Sequence, residues 1–442
     1  MANRRKTIKK LSLCAICLAG LALSALFADN ILFKETLRKV AYAAMSPWTR
    51  FYNSSLFDIG YGIAVDNNHG DVYITGTQGS NKFLARYEPA GAGKLVWETG
   101  SGAGAEDFGS DIVIAENNDV YYTGMAGFDD RAIFVEGWNQ DNERLFITYL
   151  NGDHRDVAKG IALDSNNNIY ITGYSYSSSL YGSKNHGDFD AILIKLDESG
   201  TRKWAKMIGG PEDDQAYDIA VDKYDNIYIV GATKSPVFNG ENGYGDFDIF
   251  ISKYDADGNH QWTQLRGSSG HERAFGVAID PSYMDEDYNL YVTGFVESAN
   301  FDYQTCKGLK DVVLMKYVIT EASDDSQQIE WRWTRFAGGT KKEYGNGVAA
   351  DSHGVFVVGT THSSFGGQTV KGKCDAFILK YTPAGKWVKT KFIGGSGSDW
   401  GQAICADTNG NYSITGYTSA SFDGQPYEGR GDAFVSAYHR FD

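Results

Sequence analysis

The chain has 442 residues, a formal net charge of −15, 14% aromatic residues and 52 glycines. The first 46 residues hold eight Lys/Arg against Asp29 and Glu35, which leaves −21 for the remainder, a surface that repels nucleic acid and anionic lipid and accepts cations or basic partners. Beyond Cys14 and Cys17 the cysteines are Cys306, Cys374 and Cys405, with no C-x-x-C spacing, so neither a disulfide framework nor a cysteine-based metal site is indicated.

Arg4, Arg5, Lys6, Lys9 and Lys10 precede an uncharged apolar run from Leu11 to Ala28. A charged segment and then an apolar one mark a signal peptide or an uncleaved signal anchor over residues 1–28. Either places the rest of the chain outside the cytoplasm: secreted, periplasmic or at the cell surface. Membrane contact is expected only if the segment stays uncleaved. Residues 29–45 read as a short linker or stalk.

From residue 46 to 442 the sequence repeats. Gly160-Ile-Ala-Leu-Asp-Ser-Asn-Asn-Asn-Ile-Tyr-Ile-Thr-Gly173 is the clearest unit, two apolar runs flanking an Asp/Asn turn, which is the pattern of a β-hairpin. Equivalent closures fall at Gly76, Gly124, Gly173, Gly231, Gly294, Gly359 and Gly416, with spacings of 48 to 65 residues. A third strand comes next, as in Asp190-Ala-Ile-Leu-Ile-Lys-Leu-Asp197 or Asp248-Ile-Phe-Ile-Ser-Lys-Tyr-Asp255. A fourth carries an aromatic at Trp97, Phe146, Trp204, Trp262, Trp333 or Trp387, read as core between blades. Such periods suit four-stranded propeller blades. The second repeat departs most, with Glu116 for the inner-strand acid and a degenerate third strand at Ala132 to Trp138. The last repeat lacks a fourth strand, whereas Trp48-Thr-Arg-Phe-Tyr52 stands alone ahead of the first. The fold expected is therefore an all-β, seven-bladed propeller whose N-terminal strand completes the last blade and so removes both exposed edges.

The series Asp-x-x-Gly-Asn-x-Tyr-x-Thr-Gly, Asp-Ala-Phe-x-x-Lys-Tyr-Asp-x-x-Gly, then Trp and Gly-Gly resembles the SBBP-type β-propeller repeat of bacterial secreted and surface proteins, over about residues 46–442. The resemblance implies a propeller at the cell surface or beyond and brings no established reaction.

In such a blade the loops from strand two to three share one face with those leading to the next blade. The long, uneven loops fall there, which makes that face the candidate ligand surface. Eight residues before each inner-strand acid stands another acid: Asp58, Asp156, Asp214, Glu272, Glu343 and Asp399, with Asp107 one place out of register. The set Asp156, Asp214, Glu272, Glu343 and Asp399 has the hard oxygens a channel Ca2+ would want; the competing reading is that each accepts backbone N–H bonds in its own turn. The inner-strand acids Asp66, Asp164, Asp222, Asp280, Asp351 and Asp407 read as turn-formers.

Function is better sought where repeats differ. After each loop acid come Gln215, Arg273, Tyr344 and Trp400, and two places further on Lys159, Tyr217, Asn346 and Gln402, a mixture of rings, amides and bases suited to a protein or glycan ligand. His154 and His271 lie in the same loops and are read as solvated side chains. Tyr181, Phe238, Phe301, Phe365 and Phe422 recur as loop anchors. Cys306 and Cys374 occupy equivalent loops, which leaves a bridge between them open. No Gly-x-Ser-x-Gly, His-Glu-x-x-His or phosphate loop appears. The expectation is a monomeric, non-catalytic binding or scaffold propeller without cofactor or with Ca2+. The alternative is a lactonase- or lyase-like propeller enzyme with a channel cation, although such sites use one-off ligands and the acids here are repeated.

Overall fold

The Asp/Asn turns fold as their composition predicts. Asp164 accepts the backbone N–H of Asn166 (2.9 Å) and of Asn168 (2.8 Å), and Asn167 takes the left-handed conformation at φ +57° that lets the hairpin reverse. Asp222, Asp351 and Asp407 take the same role in their own turns. In this computed structural model, residues 47–438 are described apart from 53, 55, 90–92, 102–106, 128–131, 281–287, 298–300 and 322–326. The expected signal peptide or anchor over 1–28 and the expected stalk over 29–45 lie outside the described residues. Among those described there is no α-helix, and no helix long and apolar enough to cross a membrane.

Each hairpin adds a third and a fourth strand, giving seven four-stranded antiparallel sheets. The third blade shows the order: Asp156–Leu163, Ile169–Ser175, Asp190–Leu196, Arg202–Ile208. The seven inner strands are Asp58–Val65, Phe108–Ile114, Asp156–Leu163, Asp214–Val221, Glu272–Ile279, Glu343–Asp351 and Asp399–Ala406. The ring closes as the sequence requires. Trp48–Tyr52 pairs antiparallel with Asp432–Tyr438, Trp48 opposite Ala437 and Tyr52 opposite Ala433.

The apolar core is divided among the blade boundaries, because each sheet is apolar on both faces and must bury each against a neighbour. One cluster joins the second and third blades through Tyr121, Ile133, Ile161, Ile171 and Ile192, and another joins the last and first through Tyr52, Ile74, Phe83 and Val435. At the ring's narrow centre neighbouring strands approach closely: a Cβ on Gly62 would sit 2.7 Å from Asp111 Cα of the next blade.

Two expectations change, and one open question closes. Trp97, Trp204, Trp262 and Trp333 each pack on the second-strand tyrosine of their blade, but Trp387 is half-exposed: it pairs with Tyr381, so Lys389 rather than Trp387 stands where the other blades place the ring. Tyr181 is not a loop anchor. Leu180 fills that buried place, and Tyr181 turns outward at φ +52°, with the Arg202 guanidinium 3.8 Å over its ring. Phe238, Phe301 and Phe422 are buried as expected. Cys306, Cys374 and Cys405 are free thiols, so the bridge does not form.

The third strand of the second blade, Ala132–Trp138, is regular, and its unusual sequence has a physical cause. Glu136 is buried there. It pairs with Lys82 of the first blade at 3.0 Å and accepts bonds from Tyr122 Oη (3.0 Å) and Trp138 Nε1 (2.8 Å). A buried carboxylate needs several such partners to offset lost hydration.

Candidate ligand-binding site

Every inner strand carries a β-bulge at the same level. The register shifts between Gly60 and Gly62, Gly109 and Asp111, Ala158 and Gly160, Ala216 and Asp218, Ala274 and Gly276, Gly345 and Gly347, and Gly401 and Ala403. A bulge leaves one residue unpaired and re-aims its side chain. The seven residues so released are Tyr61, Ser110, Lys159, Tyr217, Phe275, Asn346 and Gln402, and all seven line one cavity of about 390 Å3 to which every blade contributes. Lys159, Tyr217, Asn346 and Gln402, singled out because the repeats differ there, are thus brought together on the axis. Lys159 holds its ammonium 5.9 Å from the centre of the Tyr174 ring; burial, and then the neighbouring Arg155, lower its pKa to about 8.

One place beyond each bulge the chain reads Gly62, Asp111, Gly160, Asp218, Gly276, Gly347 and Ala403. The two aspartates alternate with glycines on the flanking blades, and that alternation gives their side chains room. Asp111 reaches the third blade and accepts the N–H of Ile161 (3.0 Å); Asp218 reaches the fifth and accepts that of Val277 (2.7 Å). Both residues border the cavity deep within the ring. Burial therefore dominates their acidity, pushing Asp111 up to about 7 and raising Asp218 well above the usual range, the latter with a further push from Asp111. Neither was singled out in the sequence. The signal was present, as an acid in two repeats where five have Gly or Ala, but it occurs inside an apolar strand and not in a loop.

Nearer the loop face a second cavity, about 460 Å3, is lined by Tyr344, Trp400, Asn346 and Gln402 together with Phe275, Lys342 and His362. Four of the eight expected ligand residues meet here; Lys342 and His362 are additions. Gln215, Arg273 and Tyr217 make a separate group. Arg273 Nη1 donates to Gln215 Oε1 (3.1 Å) and to Tyr217 Oη, Tyr217 donates to Gln215 Oε1 (2.5 Å), and the guanidinium stacks 3.8 Å over the Phe247 ring. Asn346 Nδ2 donates to Gly401 O at 2.7 Å.

The repeated loop acids are placed differently. Asp156, Asp214, Glu272, Glu343 and Asp399 are fully buried, each accepting the N–H four residues earlier, from Gly152 (2.6 Å), Gly210 (2.6 Å), Ser268 (2.9 Å), Gly339 (3.0 Å) and Gly395 (2.9 Å). Hydroxyls supply further donors: Ser175 and Ser177 to Asp156, Thr233 and Ser235 to Asp214, Thr361 and Ser363 to Glu343, Thr418 to Asp399. Each acid therefore braces its own loop. Among the described residues no three His, Cys, Asp or Glu side chains are grouped as a metal would require. His154 pairs with Asp153 (3.4 Å) and His271 with Asp246 (3.0 Å), both half-exposed.

The SBBP beta-propeller repeat matches residues 145–181 and 203–239, the outer strand and following hairpin of two successive blade pairs. Among curated proteins, an uncharacterised WD repeat-containing protein of Acanthamoeba polyphaga mimivirus is 25% identical over 210 residues, 39% of this chain and 15% of that one. The regulatory protein FlaEY of Caulobacter vibrioides is 22% identical over 163 residues, 34% of this chain and 16% of that one. The alignments thus span about a sixth of either relative. Of solved structures, the Dos1 propeller is similar at 11% identity and a TM-score of 0.42, covering 90% of this chain and 96% of that one. A putative gluconolactonase is similar at 11% identity and a TM-score of 0.35, covering 70% and 85%.

Proposed function

We propose that this chain, a closed seven-bladed propeller carrying the SBBP repeat, is a non-catalytic binding module that engages a protein partner through its loop-rich face, outside the cytoplasm. The observation that carries this reading is the convergence of one-off side chains, Tyr344, Trp400, Asn346, Gln402, Lys342 and His362, in one cavity on a scaffold that is otherwise repetitive. Aromatic and amide groups at a rigid rim are what partner recognition uses. Similarity to a WD-repeat protein and to a regulatory protein supports a protein partner; a glycan would meet the same rings and amides. The charged and then apolar N-terminus supports placement outside the cytoplasm. Pairing of the terminal strands covers the sheet edges that could otherwise recruit a second copy, which supports a monomer.

The test is photo-crosslinking in the native cell with benzoylphenylalanine at Trp400, compared with the same probe at Trp387 on an outer strand, both side chains being accessible. A discrete adduct from position 400 and none from 387 is expected. Equal labelling from both sites, or none from either, would remove the loop face as the binding surface. Adducts made of carbohydrate alone would move the reading to a glycan.

A further inference from the structure

We infer that the floor of the axial cavity is a receptor for an organic cation, a protonated amine or guanidinium, held between Asp111 and Asp218. The inference rests on the reading of the channel face as the binding face and goes on to name the chemistry that enters it.

Asp111 takes the backbone N–H of Ile161, and Asp218 takes those of Ile219 (2.8 Å) and Val277, and each carboxyl oxygen so engaged keeps a second lone pair. Among the described residues no Lys or Arg forms an ion pair with either acid. Lys159, on the blade between them, has its ammonium over Tyr174, and its acidity is governed by lost water and Arg155, the opposite of what a carboxylate neighbour would do. The walls suit a cation as well. Tyr61, Phe108, Tyr217 and Phe275 border the same cavity, and ring faces attract ammonium and guanidinium groups. Ser110, in the same lining, has a hydroxyl with no hydrogen-bond partner among the described residues. Asn346 spends its amide N–H2 on Gly401 O, which leaves its carbonyl oxygen to accept.

A bare metal ion fits less well. About 390 Å3 is the size of a small-molecule pocket, and the oxygens are not grouped as Ca2+ requires. Long-range charge agrees, since a net −15 draws cations toward the channel.

Two sources share this chemistry, a Lys or Arg side chain presented by a bound protein and a free amine. Calorimetry on the full-length protein with the tripeptide Gly-Lys-Gly, its norleucine counterpart and 1,4-diaminobutane separates them. Saturable binding of the lysine peptide and not of the norleucine peptide assigns a partner's side chain; saturable binding of the diamine alone assigns a free amine. Either should weaken at least tenfold in Asp111→Asn/Asp218→Asn. The single Asp218→Asn variant serves if the double one does not fold, and the norleucine control on the unaltered protein needs no variant. No saturable binding of either amine, unchanged affinity in the Asn variants, or saturation by Ca2+ in place of the amines would overturn the inference. Crosslinking from Trp400 is independent of the floor, so a rim that captures its partner while the amines fail to bind would reject this inference alone.

Discussion

Asp111 on the second blade accepts the backbone N–H of Ile161 on the third at 3.0 Å, crossing the ring's narrowest level over Gly160. The same step recurs from Asp218 over Gly276 to Val277. These two bonds tie neighbouring blades together at the centre. They also set two carboxyls where their charged forms are poorly hydrated.

The first consequence is a pH optimum of stability. Asp111 is pushed up to about 7, and Asp214, Asp399 and Asp432 to about 6, all chiefly by burial. The folded state therefore holds protons that the unfolded chain has released, so the stabilisation is complete below about pH 4 and is lost as pH rises through 6 to 7. Asp197 acts oppositely: bonds from Lys203 and Ser199 lower its pKa, and its contribution is lost as pH falls below about 4. Thermal melts should be highest near pH 4 and fall as pH rises through 7, with a shallower fall in Asp111→Asn/Asp218→Asn. A melting temperature that rises from pH 5 to 8 would contradict this.

Crowding at the centre gives the second. Gly62→Ala puts a methyl 2.7 Å from Asp111 Cα, where backbone and not a flexible side chain must move. A loss of about 1–3 kcal/mol is expected by denaturant titration. Gly182→Ala, whose Cβ would meet open space but whose φ is +90°, separates backbone strain from crowding; it should cost less, about 1 kcal/mol.

Closure gives the third. Tyr52 stacks on Phe83 with ring centres 4.4 Å apart, and Phe51 meets Phe422 at 4.9 Å. Removing residues 46–54 withdraws both rings and the strand that covers Asp432–Tyr438. The product should be insoluble or melt far lower, because a buried ring such as Tyr52 contributes roughly 3–5 kcal/mol. A soluble truncation with an unchanged melting temperature would reject closure by this strand.

The loop acids give the fourth. Thr233→Val leaves Asp214 short of a buried donor and should cost about 1–3 kcal/mol. Because these acids are saturated by their own loops, EDTA and then millimolar Ca2+ should leave the melting temperature unchanged. A saturable Ca2+ shift, lost in Asp214→Asn/Glu272→Gln, would instead make them ligands.

Much of this fold is legible in the chain because its determinants are local. Each Asp/Asn turn, each Thr-Gly closure and each loop acid acts within a few residues of itself, and repetition displays the same solution seven times, so strands, blade count and the missing fourth strand could all be read. Lys159, Tyr217, Asn346 and Gln402 were legible because repeats differ there, although not the bulge that aims them inward. Register misled at Trp387 and Tyr181, where the residue type matches the repeat but the backbone position is displaced, by two residues and by one. The channel floor, by contrast, exists only in the folded ring. Asp111 and Asp218 stand in different blades with a third between them, and they border one cavity only because closure bends seven inner strands toward a common axis.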